Sequence, residues 1–282
     1  MRLLRILDPR ILYAFAAVFV IPVCLVLNPS RRTAYQYFRS RHHYNPLRAA
    51  WATYVNHCLF AQAVIDKFAM YAGNTITTEW HGLEHYLRLA AQQPGFLFLS
   101  SHIGNYEIAG SAITPETKTF NALVFAGEKQ SVIDGRNKIL RQHNMCMIPV
   151  RDDMSHLFLI DKALSEGDIV SMPADRINGS PKTVTVTLLD RQAQLPQGPF
   201  SVATMRGLNV LACSVMKERW NKYAIHITPL DYDRSAPRRK QIQQLADAYA
   251  ADLEQQLRRY PTQWYNFYDF WEPLPTSPRG RS

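Results

Sequence analysis

The chain has 282 residues, 47% apolar and 20% charged, with 32 Lys and Arg against 23 Asp and Glu for a formal net charge of +9. That hydrophobicity excludes a disordered chain, and 12 Gly with 17 Pro exclude collagen-like and low-complexity classes. The length suffices for one large α/β domain or two small ones around a buried core. Cys24, Cys58, Cys146 and Cys213 stand far apart with no CxxC or Cys/His spacing, so no metal site and no disulfide framework is expected.

The charge is concentrated at one end. Residues 1–50 hold eight Arg and one acid, Asp8, which is +7 of the total +9. Within that stretch, residues 11–27 form a run of seventeen without a charge, at the lower limit of a membrane-spanning helix. Pro22 inside it predicts a kink or break. The stretch VLNPSRR lacks the small residues of a signal-peptide cleavage site, and Val23 stands where a lipoprotein signal needs a small residue before Cys24. The expectation is a retained anchor that spans the membrane or lies in its interface. Arg31, Arg32, Arg39 and Arg41 follow, a cluster that draws on an anionic membrane surface at about 1 kcal/mol per basic side chain and keeps the following chain cytoplasmic. A buried core helix beside a solvated basic stretch is the alternative. No nucleic-acid recognition motif accompanies the arginines, so nucleic acid is not an expected partner.

Further along, residues 46–72 show helical periodicity, with Pro46 suited to the first turn and Gly73 to the stop. Residues 75–80 read as a strand, 82–93 as a helix and 96–100 (FLFLS) as a buried parallel strand, with a helix expected from about Asn105. The alternation continues with a strand at 119–125, a helix at 130–143, a strand at 145–150, a helix at 154–166 and a strand at 168–173. After the loop ADRINGSPK come a β-branched strand at 183–190, a helix beginning in GPFSVATMRG, and strands at 209–216 and 222–230. The order predicts an α/β fold: a mostly parallel central sheet flanked by helices, preceded by an N-terminal helical membrane-associating module. The simplest division is residues 1–73 for the anchor and basic helices and 74–282 for the catalytic domain.

Three His-to-acid pairs lie five positions apart: His102/Glu107, His156/Asp161 and His226/Asp231. The second falls inside a predicted helix, where five residues turn through about 500° and separate the two faces. His226 falls inside a predicted strand. His102 alone stands at the carboxyl end of a buried strand, where open α/β sheets place their ligands. Gly104 permits a sharp turn, and Asn105 is a candidate N-cap and substrate contact. An imidazole can take a proton from an alcohol at neutral pH, and a carboxylate on its other nitrogen fixes the tautomer, the role expected of Glu107. No GxSxG elbow is present. A capped helix beside an ordinary hydrogen-bonded histidine is the non-catalytic reading of the same residues.

His102-Ile-Gly-Asn-Tyr-Glu107 resembles the HxxxxD/E motif of the lysophospholipid acyltransferase superfamily, in the branch of the lipid A late acyltransferases and the phosphatidylinositol mannoside acyltransferases. Arg151-Asp152-Asp153 with Gly167-Asp168-Ile169-Val170 is similar to the second block of that family, Pro173-Ala174-Asp175-Arg176 to the third and Pro196-Gln197-Gly198-Pro199 to the fourth. The resemblance implies acyl transfer from a thioester, acyl carrier protein or coenzyme A, to a hydroxyl of a membrane lipid or glycolipid at the cytoplasmic face of a bacterial inner membrane. No cofactor beyond the thioester co-substrate is implied. His102 would be general base and Glu107 its orienting partner. The third block reads ADRING where lipid A enzymes carry two acids, so an aryl polyene or an amino-lipid stands as an alternative acceptor. A non-catalytic lipid-binding protein is the other alternative.

The remaining candidates are weighed on their chemistry. Arg151 suits bidentate oxygen recognition or a surface ion pair with its acidic neighbours. Asp175 and Arg176 are expected to bind polar groups of the substrate, or each other. Gly198 opens a helix and offers backbone N–H groups to an oxyanion or phosphate, with plain turn chemistry as the alternative. Glu128, Lys129 and Arg136 read as a solvated face, and the aromatic run from Trp264 to Trp271 as packing onto the core.

Overall fold

A computed structural model describes residues 8–105, 108, 118–125, 144–151, 153–177 and 182–271 of the chain. The first helix, α1, runs from Pro9 to Leu27 and is long and apolar enough to cross a membrane. Pro22 does not break it. The turn before it, Ala16–Val20, widens to a π-helix in which the Ile21 N–H reaches back five residues to the Ala16 carbonyl. That widening makes room for a ring that would otherwise collide with the preceding turn. Ile11, Phe15, Val18, Phe19, Val23 and Val26 all face outward from α1.

Helices α2 (Ser30–Ser40) and α3 (Pro46–Tyr71) follow. Asn45 caps α3 by accepting the Arg48 N–H at 2.9 Å, and Gly73, at φ 97°, closes it in a conformation that β-carbons resist. The remaining elements are β1 (Thr77–His81), α4 (Leu83–Ala90), β2 (Phe96–Gly104), β3 (Phe120–Phe125), β4 (Met145–Val150), α5 (Ser155–Ser165), β5 (Ile169–Pro173), β6 (Thr183–Leu188), β7 (Arg191–Pro196), α6 (Gln197–Met205), β8 (Val210–Arg219), β9 (Lys222–Leu230) and α7 (Arg238–Arg259). The helix expected at 130–143 lies outside the described residues.

Seven strands form one sheet in the order β1-β9-β8-β2-β5-β3-β4. All pairings in it are parallel except β8 with β9. The fold is therefore α/β with a mostly parallel sheet, as the alternation of elements predicts. The β6–β7 hairpin stands apart from the sheet and packs on α7.

β2 is central and both its faces are covered, which is why it reads as an unbroken apolar run. Leu97 and Leu99 enter one core with Phe38 of α2, Ala52 of α3, Phe200 of α6 and Tyr249 of α7. Phe96 and Phe98 enter the opposite core with Tyr86 of α4 and Tyr223 of β9. Each of these four side chains contributes about 1.5–3 kcal/mol by leaving water. Because α2 and α3 share the first core, the change of sequence pattern at residue 73 is not a break in packing.

Candidate active site

The position of His102 comes from a deformation of β2. Ser100 pairs with Cys213 of β8 and Gly104 with Val215, so β2 spends four residues where β8 spends two. Such a bulge bends the strand and re-aims its side chains. Gly104 is required there: at φ 61° a β-carbon would stand 1.9 Å from the Val215 carbonyl oxygen. The bulged stretch turns to the C-terminal segment, where Ile103 bridges Trp264 and the His102 carbonyl accepts the Tyr265 N–H at 3.0 Å. Asn56 of α3 fastens that segment by donating to the carbonyls of Thr262 and Trp264, both at 2.9 Å.

β5 supplies the partner. Its pairing with β2 ends at Ser100 and Pro173, and the Ala174 N–H continues it by donating to the Ser100 carbonyl at 2.9 Å. Asp175 is thereby delivered beside His102. Asp175 Oδ2 accepts the His102 backbone N–H at 2.8 Å, and Oδ1 lies 2.8 Å from Nδ1 of the ring. Behind the carboxylate, Trp264 Nε1 donates to Oδ2 at 3.4 Å and the Tyr268 hydroxyl donates to the Asp175 carbonyl at 3.1 Å. The Asp175 side chain is fully buried, while the His102 side chain keeps 18% of its surface exposed. Burial alone would raise the Asp175 carboxyl. The charge of His102, its ring and backbone N–H bonds, and Arg176 outweigh that and hold it below the ordinary carboxylate range.

Asp175, expected to contact substrate or Arg176, turns both oxygens to His102 and has no exposed side-chain surface. Glu107, expected on the ring nitrogen, lies outside the described residues. Asn105 is buried and its amide donates to the Ala63 carbonyl of α3 at 3.0 Å, a tie between β2 and the helix. Arg176 is near the pair, donating to the Tyr265 carbonyl at 3.0 Å. Arg151 is exposed at the end of β4, on the same edge of the sheet but three strands from β2, about 14 Å along it. Gly198 is exposed in the first turn of α6, with open space where a β-carbon would point.

The other two spaced pairs come apart. His156 takes the Arg151 N–H on its ring while Asp161 pairs with Arg206, and His226 stacks on His81 with ring centroids 4.7 Å apart. Trp264 and Tyr268, which support Asp175 from behind, escape sequence reasoning, because their aromatic run is explained equally well by packing. Among the described residues no group of three His, Cys, Asp or Glu side chains could hold a metal ion.

A histidine gripped by a buried carboxylate thus stands at the carboxyl edge of a mostly parallel α/β sheet. Residues 58–272 match the bacterial lipid A biosynthesis acyltransferase family, and the chain belongs to that family and is an acyltransferase. Among solved structures it is similar to the 1-acyl-sn-glycerophosphate (LPA) acyltransferase PlsC from Thermotoga maritima, at 14% identity over 92% of this chain and 100% of that one, with a TM-score of 0.43. No curated protein matches its sequence.

Proposed function

We propose that this acyltransferase moves a fatty acyl group from a thioester, on acyl carrier protein or coenzyme A, to a hydroxyl of a lipid or glycolipid at the cytoplasmic face of the inner membrane. His102 Nε2 takes the proton of the acceptor hydroxyl as its oxygen attacks the thioester carbonyl. The tetrahedral adduct collapses by breaking the C–S bond, and the departing thiolate takes the proton back from the imidazolium. Asp175 holds the ring in the reactive tautomer and stabilises its charged form while that proton is aboard. Glu107 remains a candidate second carboxylate at the same ring, and Arg176 and Gly198 candidates for holding the acceptor and the oxyanion. The carrying observation is the two-point grip of Asp175 on His102, through ring and backbone together. The exposed apolar surface of α1 and the arginines of α2 support placement at a membrane. Mass spectrometry of total lipids from cells with and without the protein tests the reading. One lipid should lose a single acyl chain in its absence, and recover it with the native chain but not with His102→Ala. An unchanged lipid profile would refute it.

A further inference from the structure

A cavity of about 250 Å³ opens between α2, the start of β7 and the C-terminal segment. Arg39, Arg41 and Arg191 all line it, against one carboxylate, Asp269. Among the described residues none of the three arginines joins an ion pair. Burial and then Arg191 push the Arg41 guanidinium below its ordinary value, and Asp190 and Asp269 oppose this only in part. Asp190 is itself engaged by Arg258 at 3.2 Å. The cavity therefore sets three guanidiniums against one carboxylate, an excess of positive charge that favours an incoming anion.

The floor of the cavity is aromatic. Arg41 lies over the Trp271 ring at 5.2 Å with Nε donating to the Ser40 hydroxyl at 3.4 Å, which leaves its terminal NH2 groups for a ligand. In the wall, Asn266 stands beside the Tyr268 hydroxyl, which donates to the Asp175 carbonyl at 3.1 Å. We propose that this groove binds a phosphate-bearing group, either the headgroup of a lipid or the phosphates of the thioester carrier. Forked N–H donors match phosphate oxygens, and the flat aromatic floor suits a ring attached to them. Trp264 and Tyr268 belong both to this groove and to the backing of Asp175, so the bound group rests one side chain away from the catalytic pair.

Binding is tested without catalysis, so its failure is separate from failure of the proposed reaction. Calorimetry on the full chain in neutral detergent would use dihexanoyl phosphatidic acid and coenzyme A as probes, with phosphate-free dihexanoylglycerol as control. At least one phosphate probe should bind, and which one does names the source. The double variant Arg41→Gln/Arg191→Gln should weaken it about tenfold or more, the loss of at least one charge-assisted hydrogen bond. Arg234→Gln, remote from the groove, should leave binding unchanged. Arg191 is exposed, so Arg191→Glu folds regardless and should also weaken binding. Binding of neither phosphate probe, equal binding of dihexanoylglycerol, or native affinity in Arg191→Glu would overturn the proposal.

Discussion

Two buried carboxylates, Asp175 and Asp66, each face a basic partner, yet they do opposite work. Asp175 sits at the carboxyl edge of the sheet against a histidine that still reaches solvent. Asp66, on α3, is sealed against Lys217 of β8, with side chains 4% and 6% exposed, and takes hydrogen bonds from Tyr13 of α1 and Tyr223 of β9 as well. Lys217 further donates to the Trp220 carbonyl at 3.1 Å. Asp66 therefore clamps α1, α3 and the β8–β9 turn together. Burial and pairing alone do not mark a catalytic group. What separates the two is whether the basic partner keeps surface at the open edge of the sheet, as His102 does and Lys217 does not.

The comparison breaks if removing His102 spares chemistry or removing the clamp costs it. His102→Ala should lower acyl transfer by about 10⁴-fold per folded molecule, and it should also lower the melting temperature, because the buried Asp175 carboxylate loses its ring partner. Asp175→Asn keeps the shape but can hold the ring in the wrong tautomer, and should lower the turnover number about 10³-fold with the KM little changed. A KM effect that dominates in Asp175→Asn would return Asp175 to the role of a substrate contact. Lys217→Met should do the reverse. It strands a buried carboxylate among two phenols and should cost about 3–5 kcal/mol, read as a denaturation midpoint, with activity per folded molecule unchanged.

Much of this contrast was legible in the chain itself, though unevenly. The strand FLFLS, the glycine at 104 and the placement of His102 follow from an unbroken apolar run meeting a turn signal. Asp175 was visible as an acid just past a strand, but β3 and β4 intervene in sequence between β2 and β5. No periodicity reveals that β5 inserts beside β2, so the sequence offered only the nearest acid, Glu107, which lies outside the described residues. Pro22 marked a local irregularity whose form the sequence did not give: a π-turn absorbs the ring that a regular helix could not. Asp66 and Lys217 gave no signal, because a charged residue within an amphipathic helix reads as surface until the fold places another charge opposite it.

A third kind of buried titratable group sharpens the comparison, one with no charged partner to keep it ionised. His226 is pushed down to about 4 by burial first, then by His81 and Arg259, with Glu218 and Glu79 opposing. His42 is also pushed down to about 4, by burial first and then by Arg258, His43 and Arg48. Both are therefore neutral in the folded chain well below the 6.5 at which an unfolded histidine titrates. Above 6.5 neither state binds the proton and neither histidine affects stability. Between 6.5 and 4 the unfolded chain takes up protons that the folded chain refuses, so stability falls with pH. Below 4 both states are charged and this contribution to the slope ends. Denaturant midpoints measured across that interval should decline steadily, and His226→Gln should reduce the slope by up to about one proton per molecule whatever its effect on the midpoint at neutral pH. An unaltered slope in that variant would mean that His226 finds a proton-bearing partner in the folded chain, and the distinction between paired and unpaired buried groups would fail at this position.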